Sequence, residues 1–228
     1  MSNIKHKKRG DLIIISGTTC AGKGTVISKL LERNENMALS ISYTSRPMRG
    51  KEVDGVDYYF ITRDEFEEKI KNNDFLEYAK VRYGEYFGTP KKEIEDTLES
   101  GKDVILEIDV QGAKQVKELF PETILIFIMA PSFEEVKRRI KARGFENNEQ
   151  IIDRFKTAYR EINEIPKYNY VVVNDEIENA VKKVEAILIG EKCRVDRIEE
   201  IAVENEEEII HEFIMDKEFD NSVPNYNK

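Results

Sequence analysis

A short glycine-rich turn with a lysine near its end contains the residues of this chain best suited to chemistry. Residues 16–25 read Ser-Gly-Thr-Thr-Cys-Ala-Gly-Lys-Gly-Thr, between an apolar run at 12–15 and a helix-like run at 26–33. Such a turn points backbone N–H groups at one spot, at the positive end of a helix, and Lys23 adds a mobile cation. The spacing fits the phosphate-loop pattern, so the sequence predicts a site for a nucleoside triphosphate. The alternative is an ordinary glycine-rich turn between a strand and a helix.

One position of the turn departs from the phosphate-loop pattern and concerns the metal. Gly24 stands where Ser or Thr usually ligates Mg²⁺, and the hydroxyl comes one place later, on Thr25. The loop therefore offers Mg²⁺ no firm protein ligand, Thr25 being a weak candidate. The predicted ATP-binding residues of the loop are Gly17, Thr18, Thr19, Cys20, Ala21, Gly22, Lys23, Gly24 and Thr25.

Histidine and cysteine usage narrows the possible chemistry. The two histidines, His6 and His211, lie near the chain ends, which argues against a histidine-based acid–base mechanism. Phosphoryl transfer to a phosphate needs no base, because the acceptor oxygen is already ionised; catalysis then depends on positioning and positive charge. The two cysteines, Cys20 and Cys193, give neither a disulfide framework nor metal-site spacing.

Charge and hydropathy indicate a cytoplasmic protein that acts on small molecules. The net charge is −9, but residues 201–228 contain eight acidic residues and two lysines, so most of the acidity belongs to the tail. The chain has no basic stripe of the kind that binds nucleic acid. No apolar run is long enough to span a membrane, and the polar, basic N-terminus is unlike a signal peptide. We expect neither nucleic acid nor membrane as a partner.

Apolar runs alternate with amphipathic segments, which predicts an α/β fold with a parallel sheet and helices on both faces. The predicted strands are residues 12–16, 104–109, 124–129 and 170–173. The predicted helices are residues 22–33, 90–100, 112–119, 132–143, 149–165 and 176–189.

Two segments interrupt this alternation. Residues 38–89 are rich in Tyr, Gly and short alternating runs, which predicts a small antiparallel insert. Two charged helices within residues 132–165 flank Gly-Phe-Glu-Asn, which indicates a mobile lid. The expected domain is residues 1–200, with its core at 11–37, 90–131 and 166–200. The acidic extension at 201–228 is expected to be partly helical or disordered.

Several motifs, taken in order after the phosphate loop, closely resemble those of guanylate kinases, the P-loop nucleoside monophosphate kinases that phosphorylate GMP from ATP. The motifs are S-Y-T-S-R-P-M-R-G at 42–50, F-L-E-Y at 75–78, Y-F-G-T at 86–89, E-I-D-V-Q-G at 107–112, R-G-x-E-x-x-E at 143–149 and V-N-D at 173–175. The resemblance covers about residues 11–200. It implies a P-loop-type core, a GMP-binding insert, a helical lid, Mg²⁺ as cofactor, and ATP and GMP as substrates. In this family phosphates and water hold most of the metal.

The resemblance implies a GMP site within the insert. Arg46 and Arg49, three residues apart, can converge on one phosphate with forked hydrogen bonds. Glu77 would accept from guanine N1–H and the exocyclic amine, whereas adenine presents an unprotonated N1 to it. The implied GMP-binding residues are Ser42, Arg46, Arg49, Tyr58, Glu77, Thr89 and Asp109.

The resemblance also implies which residues act on the transferring phosphoryl group. Lid closure would bring arginines onto that group and exclude water, a competing acceptor. Asn174 is expected beside the adenine of ATP, and Glu107 is a second candidate near Mg²⁺. The implied catalytic residues are Lys23, Arg46, Arg139, Arg143 and Arg154.

The sequence departs from the family pattern at Phe87, where relatives commonly have a tyrosine that contacts the GMP phosphate. One hydrogen bond to that phosphate is therefore in question. Two other functions stay open at this point. One is a non-catalytic guanylate-kinase-like binding module, against which the intact Lys23 and lid arginines argue. The other is a related kinase for a different phosphorylated substrate, against which Ser42, Glu77, Thr89 and Asp109 argue.

Overall fold

The computed structural model of the chain describes residues 3–6, 9–80, 84–142 and 148–202. The chain divides into a larger unit, Lys8–Leu188, and a smaller unit that combines Met1–Lys7 with Ile189–Lys228. Two of the predictions above, the catalytic Arg143 and the tail from residue 203, lie outside the described residues.

The elements follow the alternating order expected of an α/β chain. The strands are β1 (Asn3–His6), β2 (Leu12–Gly17), β3 (Met37–Leu39), β4 (Tyr43–Thr44), β5 (Tyr59–Phe60), β6 (Phe75–Lys80), β7 (Tyr86–Pro90), β8 (Asp103–Leu106), β9 (Ile124–Met129), β10 (Tyr170–Val173) and β11 (Ile198–Ala202). The helices are α1 (Lys23–Arg33), α2 (Arg63–Lys71), α3 (Lys91–Glu99), α4 (Val110–Leu119), α5 (Phe133–Ala142), α6 (Asn148–Ile162) and α7 (Ile177–Lys192).

Five parallel strands form the central sheet of the larger unit, in the order β10-β9-β2-β8-β3. The apolar runs of β2, β8 and β9 are almost entirely buried, as is typical of a parallel sheet covered on both faces. The predicted α/β class is confirmed, and β9 and β10 have the predicted bounds.

Helices cover both faces because neighbouring residues of a strand point to opposite sides of the sheet. Ile13 and Ile15 of β2 pack with apolar residues of α1 and α7. Ile14, between them, packs with apolar residues of α3 and α4 on the other face. Burial on both faces fixes the strands and therefore the loops at their carboxyl ends, where ligands bind in open α/β sheets.

β8 and β3 differ most from the prediction, whereas β2 is only one residue longer than predicted. β8 ends at Leu106 rather than at residue 109, because Asp109 caps α4 and accepts hydrogen bonds from the amides of Gln111 and Gly112 at 2.9 and 3.0 Å. β3 was not predicted; its three residues pair with β8 at the sheet edge. The central sheet therefore extends to Leu39, two residues into the segment assigned to the insert.

The insert contains a second, four-stranded sheet, β5-β4-β7-β6, together with α2. β7 is antiparallel to β4 and β6, but β4 and β5 are parallel, so the sheet is mixed rather than wholly antiparallel. Phe66 of α2 is fully buried and stacks on Phe75 and Tyr86, with ring centroids 4.4 and 5.1 Å apart. This aromatic stack joins α2 to β6 and β7, the strands that carry Glu77 and Thr89.

The described part of the predicted lid consists of α5 and α6. Val136 and Ile140 of α5 are buried with Ala130, and Phe155 of α6 packs against them. α6 ends at Ile162, before the predicted residue 165. The amide of Glu164 donates to the carbonyl oxygen of Glu161 at 3.1 Å, which closes the helix with a tight turn, and the α conformation is disfavoured at Ile165 because it precedes Pro166.

In the smaller unit, β1 pairs antiparallel with β11. The acidic extension at 201–228 was expected to be partly helical or disordered; its first two residues complete β11, and the rest lies outside the described residues. β11 is a strand because it pairs with residues near the opposite end of the chain. No helix among the described residues is both long enough and apolar enough to cross a membrane.

Candidate active site

The phosphate loop connects β2 to α1, and its glycines are required by close contacts. At Gly17, with φ of 156°, a Cβ would lie 1.9 Å from the carbonyl oxygen of Ile128 on the neighbouring β9. At Gly22, with φ of 85°, a Cβ would lie 2.6 Å from Nδ2 of Asn174. Gly22 also precedes the first turn of α1, whose amides point toward the loop. The loop is therefore held between β9 and the end of β10 in a conformation suited to an anion.

Lys23 and Asn174 each donate a hydrogen bond to a backbone carbonyl of this loop. Nζ of Lys23 donates to the carbonyl oxygen of Gly17 at 3.0 Å. Asn174 is fully buried, and its Nδ2 donates to the carbonyl oxygen of Ala21 at 2.7 Å. Its Oδ1 is buried without a hydrogen-bond partner among the described residues. Asn174 thus lies beside the loop, and its expected contact with adenine stays a prediction.

The two described lid arginines reach the loop at different places. Arg154 of α6 donates from Nη1 to Oγ1 of Thr19 at 3.1 Å. Arg139 of α5 donates to the carbonyl oxygens of Cys20, Ala21 and Asn174 at 3.4, 3.3 and 3.0 Å. In this structure Arg139 therefore contacts backbone carbonyls in and beside the loop, whereas Arg154 contacts the side chain of Thr19.

Glu135 and Glu161, which the sequence analysis did not select, complete this side of the site. Glu135 accepts from Arg138 and from Nε of Arg139, and these hydrogen bonds lower its pKa to about 2. Glu161 of α6 accepts from the amide of Thr19 at 3.2 Å. Its contact joins residues 142 positions apart, so no local sequence signal could have identified it.

Glu77 and Thr89, which the sequence analysis expected to bind the base, lie on adjacent strands. Glu77 of β6 is 8% exposed and Thr89 of β7 is 1% exposed, and the two residues pair directly across the strands. Thr89 donates from Oγ1 to Oε1 of Glu77 at 2.5 Å. Burial raises the pKa of Glu77 to about 7, with a smaller contribution from Asp109, while the Thr89 hydrogen bond opposes the rise. At Gly112 a Cβ would lie 2.8 Å from Oε2 of Glu77, so α4 approaches this carboxylate because residue 112 has no side chain.

Arg46 is held at the other end of the insert by a partner that the sequence analysis missed. It is 5% exposed and forms a two-pronged pair with Glu52, at 2.7 Å from Nη1 and 2.6 Å from Nη2. The pair lowers the pKa of Glu52 to about 2. The guanidinium carbon lies 5.0 Å from the ring centroid of Tyr58 and 5.9 Å from that of Phe87.

Arg49 does not converge with Arg46 in this structure. Its side chain is 67% exposed and lies 3.6 Å from Oε2 of Glu85, while its amide donates to Glu52. Phe87 packs edge-on against Tyr58 at 5.6 Å between ring centroids, so the departure from the family pattern lies in the ring cluster around Arg46.

A cavity of about 270 Å³ brings the two halves of the site together. Gly17 and Lys23 of the phosphate loop line it on one side, and Ser42 and Tyr58 of the insert line it on the other. Glu107, Asp109 and Glu161 also line it. Desolvation raises the pKa of Glu107 even though its side chain retains access to solvent, and Lys23 opposes the rise.

The surroundings of Gly24 suit a hard divalent cation. A Cβ at Gly24 would lie 3.9 Å from Oε2 of Glu107, and Thr25 is exposed in the first turn of α1. Carboxylate and hydroxyl oxygens are ligands that Mg²⁺ accepts alongside phosphates and water. Within the described ranges, no cluster of three or more His, Cys, Asp or Glu side chains could hold a metal by itself. Glu107, beside Gly24, therefore fits a metal that a nucleotide phosphate also binds.

Comparisons with known proteins agree with this arrangement. A guanylate kinase family model matches residues 9–191. Guanylate kinases of Clostridium perfringens and Clostridium tetani are 53% and 55% identical to the chain over 216 and 209 residues, covering 95% and 92% of it and 100% of each relative. The crystal structure of guanylate kinase from Anaplasma phagocytophilum matches with a TM-score of 0.70 and 35% identity, over 85% of this chain and 92% of that one. The chain belongs to the guanylate kinase family.

Proposed function

We propose that this protein transfers the γ-phosphoryl group of ATP to GMP, giving ADP and GDP, with Mg²⁺ as cofactor. The observation that carries the proposal is the shared cavity of about 270 Å³, which Lys23 borders on one side and Ser42, Tyr58 and Asp109 border on the other. A donor phosphate on the phosphate loop and an acceptor nucleotide in the insert would face each other across it.

The insert supplies a physical basis for choosing guanine. The ionised carboxylate of Glu77 can accept from guanine N1–H and the exocyclic amine together. Adenine would place its N1 lone pair against the same carboxylate and leave a buried acceptor without a donor, which costs about 1–3 kcal/mol or more. Thr89 fixes the carboxylate by its hydrogen bond of 2.5 Å. Ser42 and Asp109 would complete the contacts with the nucleoside.

Three side chains would bind the GMP phosphate. Arg46 presents a guanidinium already oriented by Glu52, and the hydroxyl of Tyr58 belongs to a ring that lies against that guanidinium. Arg49 is exposed and paired only at 3.6 Å with Glu85, so it can turn toward a phosphate at little cost.

The transfer step would depend on charge and exclusion of water. Lys23 and Arg154 would neutralise charge on the phosphoryl group as it moves, and Arg139 would keep the loop backbone in place through its three carbonyl contacts. Glu107 and Thr25 would help nucleotide phosphates to hold Mg²⁺, and the bound metal would neutralise charge on those phosphates. The acceptor phosphate oxygen is already ionised, so no side chain need act as a base.

ADP formation measured by a coupled assay across a panel of nucleoside monophosphates tests the proposal. GMP should be the preferred acceptor, and AMP, CMP and UMP should give rates near the background of ATP hydrolysis. Equal rates with AMP and GMP would remove guanine from the proposal. The absence of ADP formation with every acceptor would favour a non-catalytic binding module.

A further inference from the structure

Glu161 has no role in the proposed reaction, although its side chain contacts the phosphate loop. We propose that Glu161 is a positioning residue that occupies the loop until a nucleotide phosphate displaces it, so that α6 changes its contact with the loop when ATP binds. This inference rests on the proposed function, because it takes ATP as the ligand of the loop.

The first support is the atom that Glu161 contacts. Its Oε2 accepts from the backbone N–H of Thr19, at 3.2 Å. Amides of such a loop are the donors that hold phosphate oxygens. A carboxylate oxygen and a phosphate oxygen are both anionic acceptors, and one N–H cannot make a well-aligned hydrogen bond to both. At this amide Glu161 therefore stands where a phosphate oxygen would bind.

The second support is that α6 contacts the same loop residue twice. Arg154 donates to Oγ1 of Thr19 at 3.1 Å, while Glu161 accepts from its backbone. Residues seven apart lie two turns apart on one face of a helix. Release of Glu161 would leave α6 attached to Thr19 through Arg154 alone, and Arg154 could then follow the phosphate.

The third support is the charge around Glu161. Its side chain is half-buried in the shared cavity, where Lys23 and the Thr19 amide favour its ionised form and Asp109 disfavours it. Desolvation is the largest influence and raises the pKa of Glu161. The ring hydroxyl of Tyr168 also lies within electrostatic range. A triphosphate arriving beside Lys23 would repel an ionised Glu161, which favours displacement over sharing of the loop.

The dissociation constant of ATP with Mg²⁺, measured by titration calorimetry on the full chain, tests the displacement. Glu161→Gln keeps the shape and an acceptor but removes the charge, and it should bind ATP about three- to tenfold more tightly, the range of one screened charge contact. The matched control is Glu164→Gln, because Glu164 pairs with Lys167 at 2.5 Å and has no contact with the loop among those described. Glu164→Gln should bind ATP as the parent does, and Glu161→Gln should keep the parent's KM for GMP. Equal or weaker ATP binding by Glu161→Gln would overturn the proposal.

A second measurement does not depend on the variant's folding. The ¹⁵N–¹H shift of the Thr19 amide should follow pH in the free protein, because its acceptor titrates, and this dependence should disappear when ADP saturates the loop. A Thr19 shift that ignores pH in the free protein, or that follows pH equally with ADP bound, would refute the contact. Absence of ATP binding by the parent protein would instead refute the proposed function. The pH dependence of the Thr19 amide shift in the nucleotide-free protein would still test whether Glu161 accepts from this amide.

Discussion

Replacement of Glu77 by Gln tests the guanine-reading site in a way that depends on pH. Glu77 is 8% exposed and hydrogen-bonded to Thr89, so Gln should fit the same space and keep that bond through its carbonyl oxygen. The new amide nitrogen, however, is a donor that faces a guanine donor. The variant loses one charge-assisted hydrogen bond, about 1.5–3 kcal/mol, and leaves a buried donor unpaired. At pH 8 we expect KM for GMP to rise about a hundredfold or more.

The size of this effect should shrink as the pH falls. The pKa of Glu77 is about 7, and guanine requires the ionised form. At pH 6 about one tenth of the parent protein is ionised at Glu77, so the parent loses about tenfold in GMP affinity while the Gln variant does not. Titration of the GMP phosphate affects both proteins equally and cancels in their ratio. The KM ratio of variant to parent should therefore fall about tenfold between pH 8 and pH 6.

Steady-state kinetics with GMP varied at saturating ATP, at half-unit steps between pH 6 and pH 8, measure this ratio. Glu68→Gln, an exposed charge removal on α2 of the same insert, is the matched control and should leave KM unchanged. A KM for GMP at pH 8 that Glu77→Gln leaves unaltered, or a ratio that stays constant with pH, would refute the reasoning.

Four further predictions concern neighbouring groups. Lys23→Met should fold normally but lose about a hundredfold or more in kcat, because it removes the positive charge that stabilises the transferring phosphoryl group. Near-parental turnover would contradict the phosphate-loop assignment. Phe87→Tyr should lower KM for GMP by less than about tenfold and leave KM for ATP unchanged, and an equal shift for both substrates would show that the residue does not face the GMP phosphate. Glu52→Gln should raise KM for GMP several-fold, because it loosens the fork of Arg46; an unaltered KM would mean that Arg46 is oriented without it. Without ligand, Glu77→Gln protein should be more stable than the parent above pH 7, by at most about 3 kcal/mol. The folded state raises the pKa of Glu77, so protonated Glu77 contributes stability that is fully present below the pKa of the unfolded chain and is lost as pH rises through 7. Denaturant unfolding at pH 5 and pH 8 measures the difference, and equal gains in stability at both pH values would contradict the prediction.

The sequence allowed the central sheet to be predicted because its strands are long, continuous apolar runs. Ile124–Met129 and Tyr170–Val173 have no competing interpretation as helices between their charged neighbours. β3 was missed because its three residues become a strand only by pairing with β8. The strand predicted at 104–109 extends three residues too far, because Asp109 caps α4 and apolar patterning does not reveal such a cap.

For the site, motifs identified the residues but not their partners. Ser42, Glu77, Thr89 and Asp109 could be chosen from their motif context, and the structure brings Glu77 and Thr89 into contact. The Arg46–Glu52 pair follows from the local turn of the loop, which spacing does not determine.

The contacts between the lid helices and the phosphate loop could not be predicted from the sequence. Glu161 is one of many charged residues on an amphipathic helix, and only the packing of α6 brings it to Thr19. The role of Arg139 could not be predicted for the same reason, since its position against the loop carbonyls depends on how α5 lies on the core.

The most direct test of the central claim follows the phosphoryl group itself. ATP labelled with ³²P at its γ-phosphorus is incubated with Mg²⁺, the full chain and either GMP or AMP, and the products are separated by chromatography. The proposed function predicts label in GDP when GMP is present, almost none in ADP formed from AMP, and loss of transfer in Lys23→Met. Label that appears chiefly in inorganic phosphate, or equally in both nucleotides, would contradict it.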